Sequence, residues 1–198
     1  GPLEHSSFFK WFTNREGTKG YIKVSATNQN DVQLVTELNG EEIHLKYIPS
    51  AYLFSDLDRH AYLKDMTAGH TDYTFELDDD GRPYWVITRY DNAVGLTEQK
   101  AIGTEIIDAQ TGETNIYDIE NTPSWVDRIQ PTSYINNYLN KWGELVHGIF
   151  NFSDKDKLKT TPGMNIIFND DICYYYTGIT SVGNDEGLVG FMLTNTRT

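Results

Sequence analysis

The sequence contains a single cysteine, Cys173, which rules out an intrachain disulfide and any zinc site built from several thiolates. Flanked by Ile172 and by Tyr174, Tyr175 and Tyr176, it reads as a buried strand thiol rather than a reactive one. Sparing cysteine usage suits the cytosol and equally the outer face of many bacteria, so it does not choose a compartment. Positive charge is scarce as well: 16 Lys and Arg stand against 29 Asp and Glu, a formal net charge of -13. Nucleic-acid binding and attraction to anionic lipid both rest on clustered basic residues, so no nucleic-acid partner is expected. The chain also lacks the run of roughly 20 apolar residues that spans a bilayer, and no signal peptide is visible. Its opening Gly1-Pro2-Leu3-Glu4 reads as a protease-cleavage and cloning scar, which leaves room for a native signal or membrane segment upstream.

Catalytic patterns are missing too. His44, His60, His70 and His147 never fall at the spacing of a zinc hydrolase, and Ser25, Ser181 and Cys173 lack a nucleophile-elbow motif. Asp78-Asp79-Asp80-Gly81 offers oxygen ligands, but Arg82, Pro83 and Tyr84 follow where a calcium loop needs further acids, so it reads as a solvent-facing turn. Asn184, Asp185 and Glu186 read as a surface loop. Separated carboxylates such as Asp58 and Asp108 could do acid-base work, yet 29 acidic residues make chance pairings easy. The sequence therefore assigns no catalytic residue, no metal ligand and no cofactor.

What it does contain is a 38% hydrophobic share and 13% aromatic residues, enough for a packed core. Phe8, Phe9, Trp11 and Phe12 form an N-terminal aromatic cluster that either docks on the core or borders a membrane. Residues 21–25 and 32–36 alternate around Asn28, Gln29, Asn30 and Asp31 as a hairpin, and Asn39-Gly40 predicts a type I′ turn before a strand at 43–48. Pro49-Ser50 opens a helix whose apolar face carries Tyr52, Leu53, Leu57, His60 and Leu63. Strands are predicted at 73–77, 84–90, 102–108 and 114–117. Residues 120–131 form a seam held by Trp125, Val126 and Ile129. Pro131-Thr132 opens a second helix with Tyr134, Ile135, Tyr138, Leu139, Trp142, Leu145 and Val146 on its apolar side. A charged loop at 153–159 leads to strands at 164–168, 172–177 and 188–193, the first two joined by Asn169-Asp170-Asp171.

The order helix, acidic turn between two strands, glycine-bearing strand thus occurs twice. Its clearest trace is IGTEIIDAQTGE from Ile102, which aligns with VGFMLTNTRT from Val189. The reading is α+β, with two similar helix-on-antiparallel-sheet units and an extra N-terminal β region. The expected division is 1–19 for the scar and aromatic segment, 20–119, the seam 120–131, and 132–198 as a second, shortened unit. The second turn stops before its glycine, as if the chain were excised from a longer polypeptide.

Tyr84, Trp85 and Val86, Ile106 and Ile107, and the turn Asp108-Ala109-Gln110-Thr111-Gly112-Glu113 resemble a PepSY-like module, a half-cystatin-like helix on a curved antiparallel sheet. The resemblance covers 50–117 best. Tyr174 to Tyr176, Val189, Gly190, Phe191 and Thr196 stand in comparable places in the second half, while Asn195 and Arg197 depart from the pattern. It implies a non-catalytic interaction, sensory or regulatory domain on the extracytoplasmic side of a bacterial membrane protein. Its partner would be a protein or peptide, including other domains of the same polypeptide, and its membrane link would lie in segments outside this sequence. Trp85, Tyr90, Trp125, Trp142 and Tyr175 are the candidate partner-binding residues. A hydrolase assembled from distant residues and a structural spacer of a surface protein are the alternatives.

Overall fold

Apolar-polar alternation broken by frequent turn residues yields more strand than helix, and in the computed structural model the paired strands run antiparallel. The structure describes residues 1–25, 28, 30–92, 99–146, 157–170, 172–182 and 187–198. They divide into two units: Gly1–Asp91 with Ile102–Val126, and Asn92–Ala101 with Asp127–Thr198. Gln29, His147, Asp171 and the loop positions 153–156 and 184–186 lie outside the described residues.

The first unit opens with α1 (Phe8–Thr13), then β1 (Thr18–Lys19), β2 (Tyr21–Val24), β3 (Val32–Val35), β4 (Glu37–Leu38), β5 (Glu41–Glu42) and β6 (His44–Leu45). Tyr21 pairs with Val35 in the expected β2–β3 hairpin. Asn39 and Gly40 turn β4 into β5 with φ of 52° and 84°, the left-handed pair that a type I′ turn demands. Helix α2 (Leu57–Lys64) starts where the Asp56 carboxylate accepts the Arg59 N–H at 2.8 Å. Such a cap contributes about 0.5–2 kcal/mol. The helical face expected from residue 52 is corrected by this cap. Tyr52 and Leu53 precede the helix, Leu63 is exposed, and Leu57 and Ala61 are the residues it buries.

Four strands follow in the order β10-β9-β8-β7: β7 (Gly69–Leu77), β8 (Pro83–Asn92), β9 (Gln99–Asp108) and β10 (Thr114–Asp118). The first three residues of β9 belong to the second unit. Across β7 and β8, Phe75 opposes Trp85 and Tyr73 opposes Ile87, which puts these rings on one face. Leu57 and Ala61 of α2 pack there together with Tyr21, Ile43, Leu45 and Ile48, so the N-terminal β region shares one core with the helix and sheet. Each fully buried Leu or Ile contributes about 1.5–3 kcal/mol to it. The opposite face carries Tyr84, Val86, Thr104 and Ile106. The stretch after β10 lies on that face, with the Trp125 ring 5.1 Å from Tyr84 and the Thr122 hydroxyl 3.0 Å from that of Thr104.

In the second unit, α3 (Thr132–Leu145) is followed by β11 (Leu158–Thr160), β12 (Asn165–Asn169), β13 (Ile172–Ser181) and β14 (Leu188–Asn195). Central β13 pairs with β11 and β12 along one edge and with β14 along the other. The helix buries Ile135, Leu139 and Gly143, four residues apart, while Tyr138, Trp142 and Leu145 are exposed, a narrower stripe than the sequence predicts. Ile135 and Leu139 cover Tyr175, with Met164 and Met192 beside them. Gly143 lets the helix approach β11 closely, because a Cβ there would lie 2.2 Å from the Leu158 carbonyl oxygen. β11 itself begins inside the stretch read as a charged loop. Its pairing with 179–181 and the Asn140 side chain accepting the Thr160 N–H at 2.8 Å are long-range effects that local charge conceals.

Candidate functional site

The turn ending β9 gathers bonds from several separate segments. Asp108 accepts the N–H groups of Gln110 and Thr111 on Oδ1 at 2.8 and 2.9 Å and holds Arg82 on Oδ2 at 2.7 Å. His60 of α2 reaches the same turn, its Nε2 lying 2.8 Å from the Gly112 carbonyl oxygen. The Ala109 N–H donates to Pro83, and the Ala109 carbonyl accepts the N–H groups of Lys46 and Tyr47, both at 2.9 Å. The Trp85 indole closes the arrangement by donating to the Tyr47 carbonyl at 2.8 Å.

The bonds around Ala109 have matches in the second unit around Thr196. Asn195 Oδ1 accepts the Arg197 N–H at 2.8 Å, so the exchange of Asp for Asn keeps the turn bond. The Thr196 N–H donates to Cys173, and its carbonyl accepts the N–H groups of Ile129 and Gln130 at 3.0 and 2.8 Å. Tyr175 stands two residues past Cys173, as Trp85 stands two past Pro83, and its hydroxyl donates to the Gln130 carbonyl at 2.8 Å. Trp85 and Tyr175, taken from the sequence as partner-binding, are instead buried anchors, 5% and 1% exposed, that tie each sheet to the segment before or beside its helix. Aromatic residues on a strand give no sign in the sequence of which face they take.

The other three candidates do not gather at one place either. Tyr90 is half-buried with its ring packed on Gly69, where a Cβ would fall 2.2 Å from it. Trp125 is half-buried against Tyr84 in the first unit, and Trp142 is exposed on α3 of the second.

A different surface stands out in the second unit. Side chains on β13 alternate, so Cys173, Tyr175, Thr177 and Ile179 turn inward and Tyr174 and Tyr176 turn to the other face. Register places Ile167 and Asn195 beside Tyr174, Leu193 beside Tyr176, and Phe191 beside Gly178 on that outer face. The rings of Tyr176 and Phe191 are 5.7 Å apart, and Phe191 and Leu193 are 64% and 50% exposed. The residues that the sequence alignment sets opposite them, Thr104 and Ile106, are buried. Among the described residues, no strand pairs with the outer edge of β14. The alignment of VGFMLTNTR with IGTEIIDAQ already places Phe191 and Leu193 on one strand face; that the face is bare is a tertiary fact.

Polar candidates are mostly taken up by the fold. Cys173 is buried, and Asp78 accepts the N–H groups of Asp80 and Arg82 in a tight turn, as expected of 78–81. Asp65 and Arg89 form a buried ion pair at 2.6 Å. His70 Nε2 lies 2.8 Å from Glu105 Oε2, poorly aligned for a hydrogen bond, and neither Glu105 oxygen has a hydrogen-bond partner. Burial and the neighbouring Asp58 carboxylate push the Tyr73 hydroxyl well above the usual phenol range. Among the described residues, no group of three His, Cys, Asp or Glu side chains is arranged to hold a metal ion. No helix among them is long and apolar enough to cross a membrane. Comparison with protein-family models, curated proteins and solved structures finds no match to this chain.

Proposed function

We propose that this chain is a non-catalytic interaction module, of sensory or regulatory use, carried on the extracytoplasmic side of a larger bacterial membrane protein. The observation that carries the reading is the outer face of the second unit, where Tyr176 of β13 and the exposed Phe191 and Leu193 of β14 form a contiguous apolar surface, and no strand among the described residues pairs with the outer edge of β14. Apolar surface of this kind on a folded domain marks a contact with another molecule. A spacer would scatter its aromatic residues, so the shared patch favours binding. The hydrolase alternative loses support because Asp108, His60 and Cys173 are each engaged in the fold or buried within it.

The recurrence of one hydrogen-bond set around Ala109 and Thr196 supports a tandem of two PepSY-like units, since unrelated hairpins have no reason to share it. Envelope placement draws support from the N-terminal aromatic cluster. Phe8, Phe9 and Phe12 are 42%, 78% and 52% exposed, and Arg15 lies over the Phe12 ring at 4.7 Å. Exposed aromatic rings beside a cation suit the headgroup region of a bilayer.

Two measurements test the proposal. Topology reporters on both sides of the segment in the full-length gene product should place it outside the cytoplasmic membrane; a cytoplasmic location refutes the placement. A photo-crosslinking side chain installed at Phe191 in cells should give a discrete protein adduct absent when it is installed at Asn140. Equal labelling from both positions refutes the interaction reading.

A further inference from the structure

The two units differ in what lies beside β9 and β14. In the first, β10 lies antiparallel along β9 from Asp118 opposite Gly103 to Thr114 opposite Ile107. The chain then folds back so that Thr122 and Trp125 lie on the outer face at Thr104 and Tyr84. Residues 114–126 therefore close both an edge and a face. Gly103 permits this, since a Cβ there would sit 2.0 Å from the Tyr117 carbonyl oxygen, with φ at 159°.

The repeat carries each of these positions into the second unit. Gly190 stands for Gly103, Phe191 for Thr104, Leu193 for Ile106, and Tyr174 for Tyr84. A Cβ at Gly190 would meet nothing within 4 Å. The glycine that admits a neighbouring strand is retained while, among the described residues, no strand is there. The open stretch 188–195 carries no charge at all, although the chain as a whole is at -13. It has neither a lysine nor a proline, two of the devices that keep an edge strand from pairing.

We propose that the edge of β14 and the face beside it form one docking site for an extended peptide segment. This segment would add a strand antiparallel to 190–194, then fold an aromatic arm back over Phe191 and Leu193. Backbone hydrogen bonds to the edge supply affinity and the arm supplies selectivity, the usual division in strand addition. The partner's chemistry is that of 114–126 itself: a short strand carrying an aliphatic and an aromatic residue side by side, as Ile116 and Tyr117 do, then a turn, and a tryptophan placed to stack on Tyr174. The inference rests on the interaction reading above and names the kind of partner.

The test grafts residues 112–126 directly after Thr198, which aligns with Thr111, so the segment is offered at high effective concentration. Hydrogen exchange should show the outward-pointing β14 amides exchanging at least about tenfold more slowly than in the original chain. That protection should vanish in the same graft carrying Phe191→Asp and Leu193→Asp, and with a scrambled graft. Unchanged exchange in a folded grafted chain overturns the docking mode. If Phe191 crosslinks persist in cells in that case, the interaction reading stands and only the strand-and-arm partner fails. Concentration-dependent protection of β14 in the ungrafted chain, with a dimer in sedimentation, would instead assign the edge to a second copy and overturn the proposal.

Discussion

Replacing Asp65 by Asn tests how much of the first unit depends on one buried ion pair. Asp65 follows α2 and is 6% exposed, and both Nε and Nη2 of Arg89 reach its Oδ2 at 2.7 and 2.6 Å. Its other oxygen accepts the N–H and hydroxyl of Thr67 at 3.0 and 2.6 Å. Burial by itself would raise the carboxyl's pKa, but the bonds from Thr67 and Arg89 outweigh it and hold the group far below the usual carboxylate range. Removing one partner of a buried pair costs about 3–5 kcal/mol. Arg89 keeps 15% exposure and regains some water, which places Asp65→Asn near the lower end, about 3 kcal/mol.

Because the folded-state pKa is depressed, this stability is fully present above the unfolded carboxylate value of about 3.9 and is lost as pH falls from there toward the folded value. The difference between the original chain and the variant should therefore be constant from about pH 5 to 7 and shrink at about pH 3. Urea unfolding followed by tryptophan emission reads the first unit selectively in a Trp142→Phe background, which leaves Trp11, Trp85 and Trp125. Adding Arg89→Met to Asp65→Asn should recover much of the loss, since the uncompensated cation is gone. A cost below about 1 kcal/mol at neutral pH, or a cost that does not shrink in acid, would refute the assignment of a buried, stabilising pair.

Gly143→Ala sets a helix-propensity gain of about 1 kcal/mol against overpacking on the β11 backbone of about 1–3 kcal/mol. With the Cβ only 2.2 Å from the Leu158 carbonyl oxygen, the clash wins, and chemical denaturation should show net destabilisation of the second unit. Tyr175→Phe removes the bond to Gln130 and should cost about 1–2 kcal/mol by the same measurement, with no effect on the first unit. Cys173, buried on the inward side of β13, should react with a thiol reagent only at the rate at which the second unit opens; rapid reaction in the native state would show that the sheet is not packed as described.

The α+β character, the longer strands, both longer helices and the Asn39-Gly40 turn were legible in the sequence because each depends on local chemistry: a period of two, a period near 3.6, or a positive φ. What no local pattern contains is which of two faces a distant segment will cover. Trp85, Tyr175, Phe191 and Leu193 all sit on alternating strands, yet the first two are anchors bonded to carbonyls of remote segments and the last two are bare. The start of α2 and the buried stripe of α3 differ from the sequence reading for a related reason. A cap at Asp56 and a backbone contact at Gly143 decide which apolar residues meet the sheet, and both depend on a single geometry rather than on a run of residues. The sequence by itself determined the α+β character and the longer elements, because their periods are local; only the tertiary structure decided that 114–126 closes one sheet, and that among the described residues no strand closes the other.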